Sequence, residues 1–365
     1  MKLAIIGLSN SGKTTVFNAL TRQNIETTIY PTISGEPNYG VVKVPDFRID
    51  KLAGIYDPKK ITYAAIDYVD YIGLTKGDAV QNRMVFDLIK DVDAIVHVVR
   101  AFESDSVVHP MNDISPLNDI ETLELELILG DLELVEKRIQ RMGEDAKKGK
   151  TINESEEKFL IKCKDALEKG IPLREVIFDN EEQKTMRHLQ FVSTKPEVIV
   201  LNIGGNDLNT EKAANLQKDA EGYFNSKGMT KTSKVVTLCG RIEMEIAQMS
   251  TEDARAFLDE FGIQEPALNK LINVSYNLLG LISFFTVGKD EVRAWTITKG
   301  TNAQNAAGRI HSDIQKGFIR AEVVGYDDFI SSGDMPVAKY KDLTRLEGKA
   351  YEVKDGDITN FRFNV

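Results

Sequence analysis

The run Gly7-Leu-Ser-Asn-Ser-Gly12-Lys13-Thr14 sets two glycines five residues apart, followed by a lysine and a hydroxyl side chain. Those residue types in that order suit a nucleoside triphosphate. Glycine allows a close backbone approach where a Cβ would intrude. The N–H groups of Asn10, Ser11, Gly12, Lys13, Thr14 and Thr15 can then surround phosphate oxygens at the start of the following helix. Lys13 reaches the β- and γ-phosphates, and the Thr14 hydroxyl ligates Mg²⁺. A second element, Asp70-Tyr-Ile-Gly73, begins 57 residues after Lys13 and follows an apolar run. There Asp70 is expected to hold Mg²⁺ through water, and the Gly73 N–H to sense the γ-phosphate. Lys13, Asp70 and Gly73 are the expected catalytic set. Between the two motifs lies Tyr30-Pro-Thr-Ile-Ser-Gly-Glu-Pro-Asn38, placed as a first switch loop. Thr32 and Ser34 each offer a hydroxyl to complete the Mg²⁺ shell.

Such a loop needs a strand before it and a helix after it. Residues 2–6 read as a short buried strand and Thr14 to Arg22 as the helix. Further apolar runs at 66–69, 94–99, 197–201 and 234–238 are separated by helical stretches, the pattern of βαβ units in a mostly parallel sheet. Residues 117–190 differ. Leu123, Leu127, Leu134 and Ile139 recur at near-helical spacing among charges, which predicts two long amphipathic helices joined by a polar loop near 147–153. This insertion carries 13 basic and 18 acidic residues, net −5. From residue 282 the apolar clusters are short and punctuated by Gly, Asp and Asn, which predicts a compact α+β domain. That stretch has 12 basic and 12 acidic residues. The expected division is 1–116 with 191–281 as the nucleotide-binding α/β domain, 117–190 as an inserted antiparallel hairpin, and 282–365 as a C-terminal domain.

The whole chain of 365 residues has 46 Lys and Arg against 56 Asp and Glu, net −10. That excludes coating of nucleic acid by bulk charge but permits a local basic face. No apolar stretch of about 20 residues exists, so no transmembrane helix is expected. The N-terminal apolar run ends in Gly, Ser, Asn and Lys without a small-residue cleavage site, so no signal peptide is expected. Cys163 and Cys239 are too few for a disulfide framework or a four-cysteine zinc site, which suits a reducing cytoplasm. The four histidines are scattered, and His97 sits inside an apolar strand as a core residue. Lys147, Lys148 and Lys150 read as a solvated hairpin tip, with contact to RNA phosphates as the sharper alternative. Arg293, Lys299, Arg309, Lys316 and Arg320, with Trp295 and Phe318 nearby, are a candidate RNA-facing surface.

With these motifs the chain resembles the YchF family of Obg-like P-loop ATPases, within the translation-factor-related GTPases. The resemblance rests on Val69 to Gly77 (VDYIGLTKG), Asp91 to Glu103, Leu117 to Arg138, Phe261 to Val323 and Asp355 to Val365. It implies a G domain, a helical insertion and a TGS-like C-terminal domain. It implies a cytoplasmic switch ATPase that uses Mg²⁺, acts as a monomer and associates with ribosomes, with ribosomal RNA met through the TGS-like domain. Where most P-loop GTPases read guanine with Asn-Lys-x-Asp, this chain has Asn202-Ile203-Gly-Gly205. The family resembles Asn-x-x-Glu there, so Gly205 departs from it. Asn202 can bond adenine N6 and N7, and loss of the acidic group removes a guanine acceptor, which favours ATP. Asn206-Asp207 just beyond keep GTP open. Cys239 and Gly240 fall at the last base-side loop. The alignment of Tyr30-Pro31 and Glu36-Pro37-Asn38 favours Ser34 over Thr32 for Mg²⁺. Leu74 follows Gly73 where Ras-like enzymes have a water-orienting Gln, which predicts slow intrinsic hydrolysis. The rival readings are a GTPase of the same architecture and a nucleotide-gated binding module with negligible hydrolysis.

Overall fold

A computed structural model describes residues 1–26, 37–104, 107, 109–111, 113–151 and 153–364. Along the chain, β1 (Lys2–Ile6), α1 (Lys13–Thr21) and β2 (Asn38–Lys43) come first. They are followed by α2 (Phe47–Tyr56), β3 (Lys60–Thr62), β4 (Ala65–Asp70), α3 (Ala79–Ile89) and β5 (Ala94–Ala101). The hairpin helices α4 (Pro116–Lys147) and α5 (Glu154–Glu168) precede α6 (Asn180–Leu189), β6 (Glu197–Ile203), α7 (Glu211–Ser226), β7 (Ser233–Leu238), α8 (Gly240–Gln248), α9 (Thr251–Glu260) and α10 (Ala267–Leu278). The C-terminal elements are β8 (Leu281–Thr286), β9 (Glu291–Thr298), α11 (Ala303–Ile310), α12 (Ser312–Lys316), β10 (Phe318–Gly325), α13 (Tyr326–Ser332), α14 (Met335–Tyr340), β11 (Arg345–Glu347) and β12 (Asp357–Phe363).

The chain divides into two units. The first holds Met1–Val41 and Asp67–Leu271. Its sheet has the order β2-β4-β1-β5-β6-β7, and β1 pairs in parallel with both β4 and β5. β5 and β6 are buried at every residue, as apolar runs covered on both faces should be. One covering layer packs Val85, Phe86 and Ile89 of α3 with Leu123 and Leu127 of α4. The hairpin keeps a core of its own, in which Ile128 and Val135 meet Phe159, Leu160, Cys163 and Phe191. α4 runs 32 residues, or about 48 Å at 1.5 Å per residue. Its start fits Pro116 in the first turn, and α5 starts on the Asn153 side chain, which accepts from Ser155 and Glu156 N–H.

The second unit holds Val42–Ile66 and Ile272–Val365. Its sheet runs β11-β10-β12-β8-β9-β3. The sequence expectation assigned 42–66 and 272–281 to the nucleotide-binding domain, and both stretches belong to this unit; for 42–66 the strand pairing is the reason. β3 adds to the edge of β9 in parallel, with Lys60 opposite Glu291 and Thr62 opposite Arg293. α2 is fastened to the same unit. Arg48 bonds Asp46 and, at 2.8 Å, Asp355, and lies 5.2 Å from the Phe285 ring, while Tyr56 stacks on Phe329. Burial opposes the Arg48 charge, but the two carboxylates outweigh it and hold its pKa above the usual value.

Candidate functional site

The glycine-rich loop turns between β1 and α1 at the carboxyl ends of the central parallel strands, the usual ligand-binding edge of such sheets. Gly12 sits at φ +91°, and a Cβ there would lie 2.2 Å from the Asn202 Nδ2. A Cβ on Gly7 would lie 2.3 Å from Val98 O. Both positions therefore demand glycine. α1 begins with no side-chain cap, so its first N–H groups stay available to a ligand. Ser11 Oγ is buried without a hydrogen-bond partner among the described residues.

Lys13 is 8% exposed, and its Nζ donates to Leu8 O at 2.9 Å. Burial lowers its pKa to about 8, against the pull of Asp70. Thr14 Oγ1 donates to Asp70 Oδ2 at 2.9 Å, while the buried Oδ1 has no partner among the described residues. Burial raises the Asp70 pKa, opposed by the Thr14 hydroxyl, the Lys13 ammonium and the Asn38 side chain. Gly73 lies against the loop, where a Cβ would come within 2.8 Å of Lys13 Nζ and 3.1 Å of Ser9 Cα. Thus Lys13, Thr14, Asp70 and Gly73 converge as the spacing predicts. A buried carboxylate with one oxygen on a threonine hydroxyl and the other unpartnered is a donor set that fits a hydrated Mg²⁺. Thr32 and Ser34 lie outside the described residues. Leu74 is fully buried in the core and its N–H donates to Gly7 O, so it orients no water.

The base-side residues are bonded within the first unit. Asn202 is 4% exposed and both ends of its amide are engaged. Nδ2 donates to Ser11 O at 3.0 Å, and Oδ1 accepts from Gly240 N at 2.9 Å. It clamps the glycine-rich loop to the start of α8, leaving one amide hydrogen and one lone pair for a base. The Ile203 side chain is in the core with Ala101, Ala213 and Cys239, so only its backbone could face a ligand. Cys239 is buried and its thiol pKa is raised by that burial, the opposite of a redox-sensing thiolate. Thr15 is half-buried beside Gly240. Gly205 is exposed, and Asp207 is held by Lys212 at 3.0 Å.

Two features escaped sequence reasoning. Phe102 packs on the loop, its Cε1 3.8 Å from where a Gly12 Cβ would sit and its Cβ equally near that of Gly204. Arg100 holds the Phe102 carbonyl at 3.1 Å. The second is a chain of bonds from Gly73 to the hairpin. Gln81 donates to Gly73 O, Asn82 brackets Thr75 through both its N–H and C=O, and Glu126 of α4 accepts from Gly77 N and Asn82 Nδ2, each at 2.8 Å. His97 is buried as expected, but its Nε2 has no partner among the described residues, and burial drives its pKa down to about 3. At the hairpin tip Lys150 bonds Asp145. The five candidate RNA-facing cations do not gather. Arg293, Lys299 and Arg309 go with β9, Arg293 stacking on Trp295, whereas Lys316 and Arg320 go with β10. Three strand spacings, about 14 Å, separate the two.

A parallel sheet with this loop, an uncapped helix start and a Thr–Asp pair defines a P-loop nucleoside triphosphatase of the GTPase class. A family profile described as 50S ribosome-binding GTPase matches residues 2–130, and the C-terminal profile of the YchF GTPases, described as of unknown function, matches 281–364. The chain is 43% identical over 369 residues to the ribosome-binding ATPase YchF of Bacillus subtilis, covering 99% of this chain and 98% of that one. It is 39% identical to the protein of that name from Escherichia coli O157:H7, covering 100% and 99%. The solved structure of the Schizosaccharomyces pombe YchF GTPase superposes with a TM-score of 0.82 at 27% identity, over 99% of this chain and 97% of that one. The chain belongs to the YchF family.

Proposed function

We propose that this protein is a nucleotide-dependent switch that binds and slowly hydrolyses ATP with Mg²⁺ and works in association with the ribosome in the cytoplasm, as a monomer. The convergence of Lys13, Thr14 and Asp70 on one loop carries the hydrolase reading. Lys13 and the α1 N-terminus hold the β- and γ-phosphates. Thr14 and Asp70 hold the metal, with Ser34 offered as a further ligand. Bound Mg²⁺ neutralises charge that develops on the phosphoryl oxygens. Gly73 N–H is positioned beside Lys13 to respond to the γ-phosphate, and Gln81, Asn82 and Glu126 extend that response to the hairpin.

Preference for ATP is supported by the lack of an acidic residue at 205 and by the engagement of Asp207 with Lys212. The names of relatives divide on this point, ATPase for the bacterial proteins and GTPase for the fission-yeast structure. Affinities for ATP and GTP measured side by side decide it, and a clear GTP preference would defeat the ATP reading. Slow turnover is supported by the buried Leu74. Intrinsic turnover in the purified protein near the ~1–100 s⁻¹ of kinases would contradict it. Ribosome association is supported by the names of the relatives and is tested by co-sedimentation with purified ribosomes. In functional terms we keep three parts: the nucleotide-binding part, the hairpin 117–190 that packs on it, and the C-terminal part 282–365, to which 42–66 is joined.

A further inference from the structure

A cavity of about 630 Å³ opens in the first unit between α3, α4 and the end of α6. Its two long walls are helices in contact. Gly130 lets α4 approach the Phe86 ring, and a Cβ at that glycine would come within 2.7 Å of it. The floor is apolar. Phe86 and Val192 are buried, Leu134 and Leu189 are half-buried, and Leu129 is 48% exposed. The rim is charged. Both Glu126 oxygens are held by Gly77 N and Asn82 Nδ2, and both Asp131 oxygens by the N–H groups of Val192 and Ser193, so neither carboxylate is offered to a ligand. Lys90 pairs with Asp87 at 2.6 Å and Arg138 with Glu156 at 2.7 Å. What remains is Arg83, Lys137 and Arg141 around Glu133. Arg83 reaches that carboxylate only at 3.4 Å, Lys137 bonds it, and Arg141 is exposed with no ion-pair partner among the described residues. Three cations thus share one carboxylate beside a hairpin that is net −5. One end of the cavity is the chain of bonds that reaches Gly73. Gly77, Asn82 and Glu126 line it, and Gln81, next to Asn82, donates to Gly73 O at 2.9 Å.

We infer that this groove is a docking site for an acidic amphipathic helix of a partner protein, and that its occupancy is coupled to the nucleotide. Helical walls keep their backbone groups bonded within themselves, so the groove offers no strand edge and recognition falls to side chains. An apolar face with residues at i and i+4 fits the floor, and carboxylates flanking that face meet Arg83, Lys137 and Arg141. Nucleic acid would find the cations but no stacking partner, since Phe86, the phenyl ring on the wall, is 7% exposed and packed against Gly130. A helix seated between α3 and α4 bears on the two elements that Glu126 ties together, and so favours one arrangement of Gly73 over another. By linkage the nucleotide changes the affinity for the helix by the same factor. The inference rests on the switch reading proposed above and gives that switch a partner chemistry.

The test uses the full-length protein and a fluorescein-labelled peptide about four helical turns long, with leucines at i, i+4, i+7 and i+11 and glutamates beside them. Fluorescence anisotropy is read without nucleotide, with ADP, and with a non-hydrolysable ATP analogue and Mg²⁺. The peptide should bind with a Kd below about 100 µM. The same peptide with lysine for glutamate should bind at least tenfold more weakly. Arg83→Glu with Arg141→Glu should weaken binding at least tenfold and reduce its salt dependence. Leu129→Ser should weaken it about tenfold and leave the salt dependence alone. All three side chains are exposed, so these variants should keep the parent melting temperature and, without peptide, the parent ATP affinity. The ADP and ATP-analogue forms should differ in peptide affinity by at least about fivefold, and saturating peptide should shift the ratio of nucleotide affinities by the same factor. Glu126→Ala should still bind the peptide and lose that difference. No binding at about 100 µM, equal binding by the groove variants, or equal binding of the lysine peptide overturns the groove assignment. Equal affinity in the two nucleotide forms overturns the coupling. A single-stranded oligouridine that binds the parent and is lost with Arg83→Glu and Arg141→Glu, where the glutamate peptide does not bind, makes the groove a nucleic-acid site and overturns the protein partner. If the ATP analogue fails to bind the parent, the switch reading falls, while the nucleotide-free arm still decides the groove.

Discussion

Replacing Asn202 with alanine separates two roles for one side chain. In the structure its amide satisfies Ser11 O and Gly240 N, both buried backbone groups of the first unit. Alanine removes both partners and leaves each group unpaired at about 1–3 kcal/mol. The expected loss is about 2–6 kcal/mol, from a total that for most proteins is about 5–15 kcal/mol. Urea unfolding followed by circular dichroism measures it. Trp295, the only tryptophan, lies in the other unit, so its fluorescence should report a transition that moves less. Asn202→Asp keeps the bond from Gly240 and places a carboxylate against Ser11 O, so it should be destabilising through that end alone. Because the clamp holds the glycine-rich loop, ATP and GTP affinities should fall by the same factor. A stability change under about 0.5 kcal/mol would refute the clamp, and an ATP loss exceeding the GTP loss by tenfold would show that Asn202 acts chiefly as the base reader expected from the sequence.

Other outcomes are expected. Thr14→Ala and Asp70→Asn should each abolish Mg²⁺-stimulated hydrolysis, read as phosphate release, and chelation of Mg²⁺ should do the same to the parent. His97 has a folded pKa of about 3 against 6.5 for the free side chain. Between those values the unfolded chain holds the extra proton, so stability rises with pH and is lost on acidification below about 6.5. The loss from pH 6.5 to 4 should approach about 3 kcal/mol at 1.36 kcal/mol per unit. His97→Met should flatten that part of the urea-midpoint profile, and an unchanged profile would exclude His97 as its source. Burial pushes the Cys163 thiol up to about 12 and raises that of Cys239. A thiol reagent at pH 8 should label neither until the protein unfolds, and rapid labelling of the native protein would contradict their burial. Gly73→Ala should displace the Lys13 ammonium and lower nucleotide affinity, measured by titration.

The central strands were legible because a parallel strand covered on both faces is a nearly unbroken apolar run, as Ala94–Ala101 is. The hairpin was legible because Leu123, Leu127 and Leu134 keep helical spacing over a 32-residue helix. The phosphate-side residues were legible for a different reason, since the backbone conformation at Gly12 admits so few residue types. What the sequence hid depends on register between distant segments. Nothing in Lys60-Ile-Thr62 names Glu291-Val-Arg293 as its partner. Asn202 was read by its type alone. Its type fits a base, but both its bonding ends meet backbone from other segments.

The affiliation of residues 42–66 also bears on how the chain is made. Lys59 pairs with Asp290, 231 positions later, and Arg48 with Asp355, 307 positions later. At roughly 5–20 residues per second, a growing chain holds this segment for roughly ten to fifty seconds before β9 emerges to receive β3. The nascent protein thus carries Gly7 to Thr14 and Asp70 to Gly73 early, while the stretch between them lacks its strand partner and its aromatic neighbours. A chain cut short before residue 281 would expose Tyr56 and the edge of β3, so a truncated product is a target for chaperones and proteases, and not a trimmed enzyme.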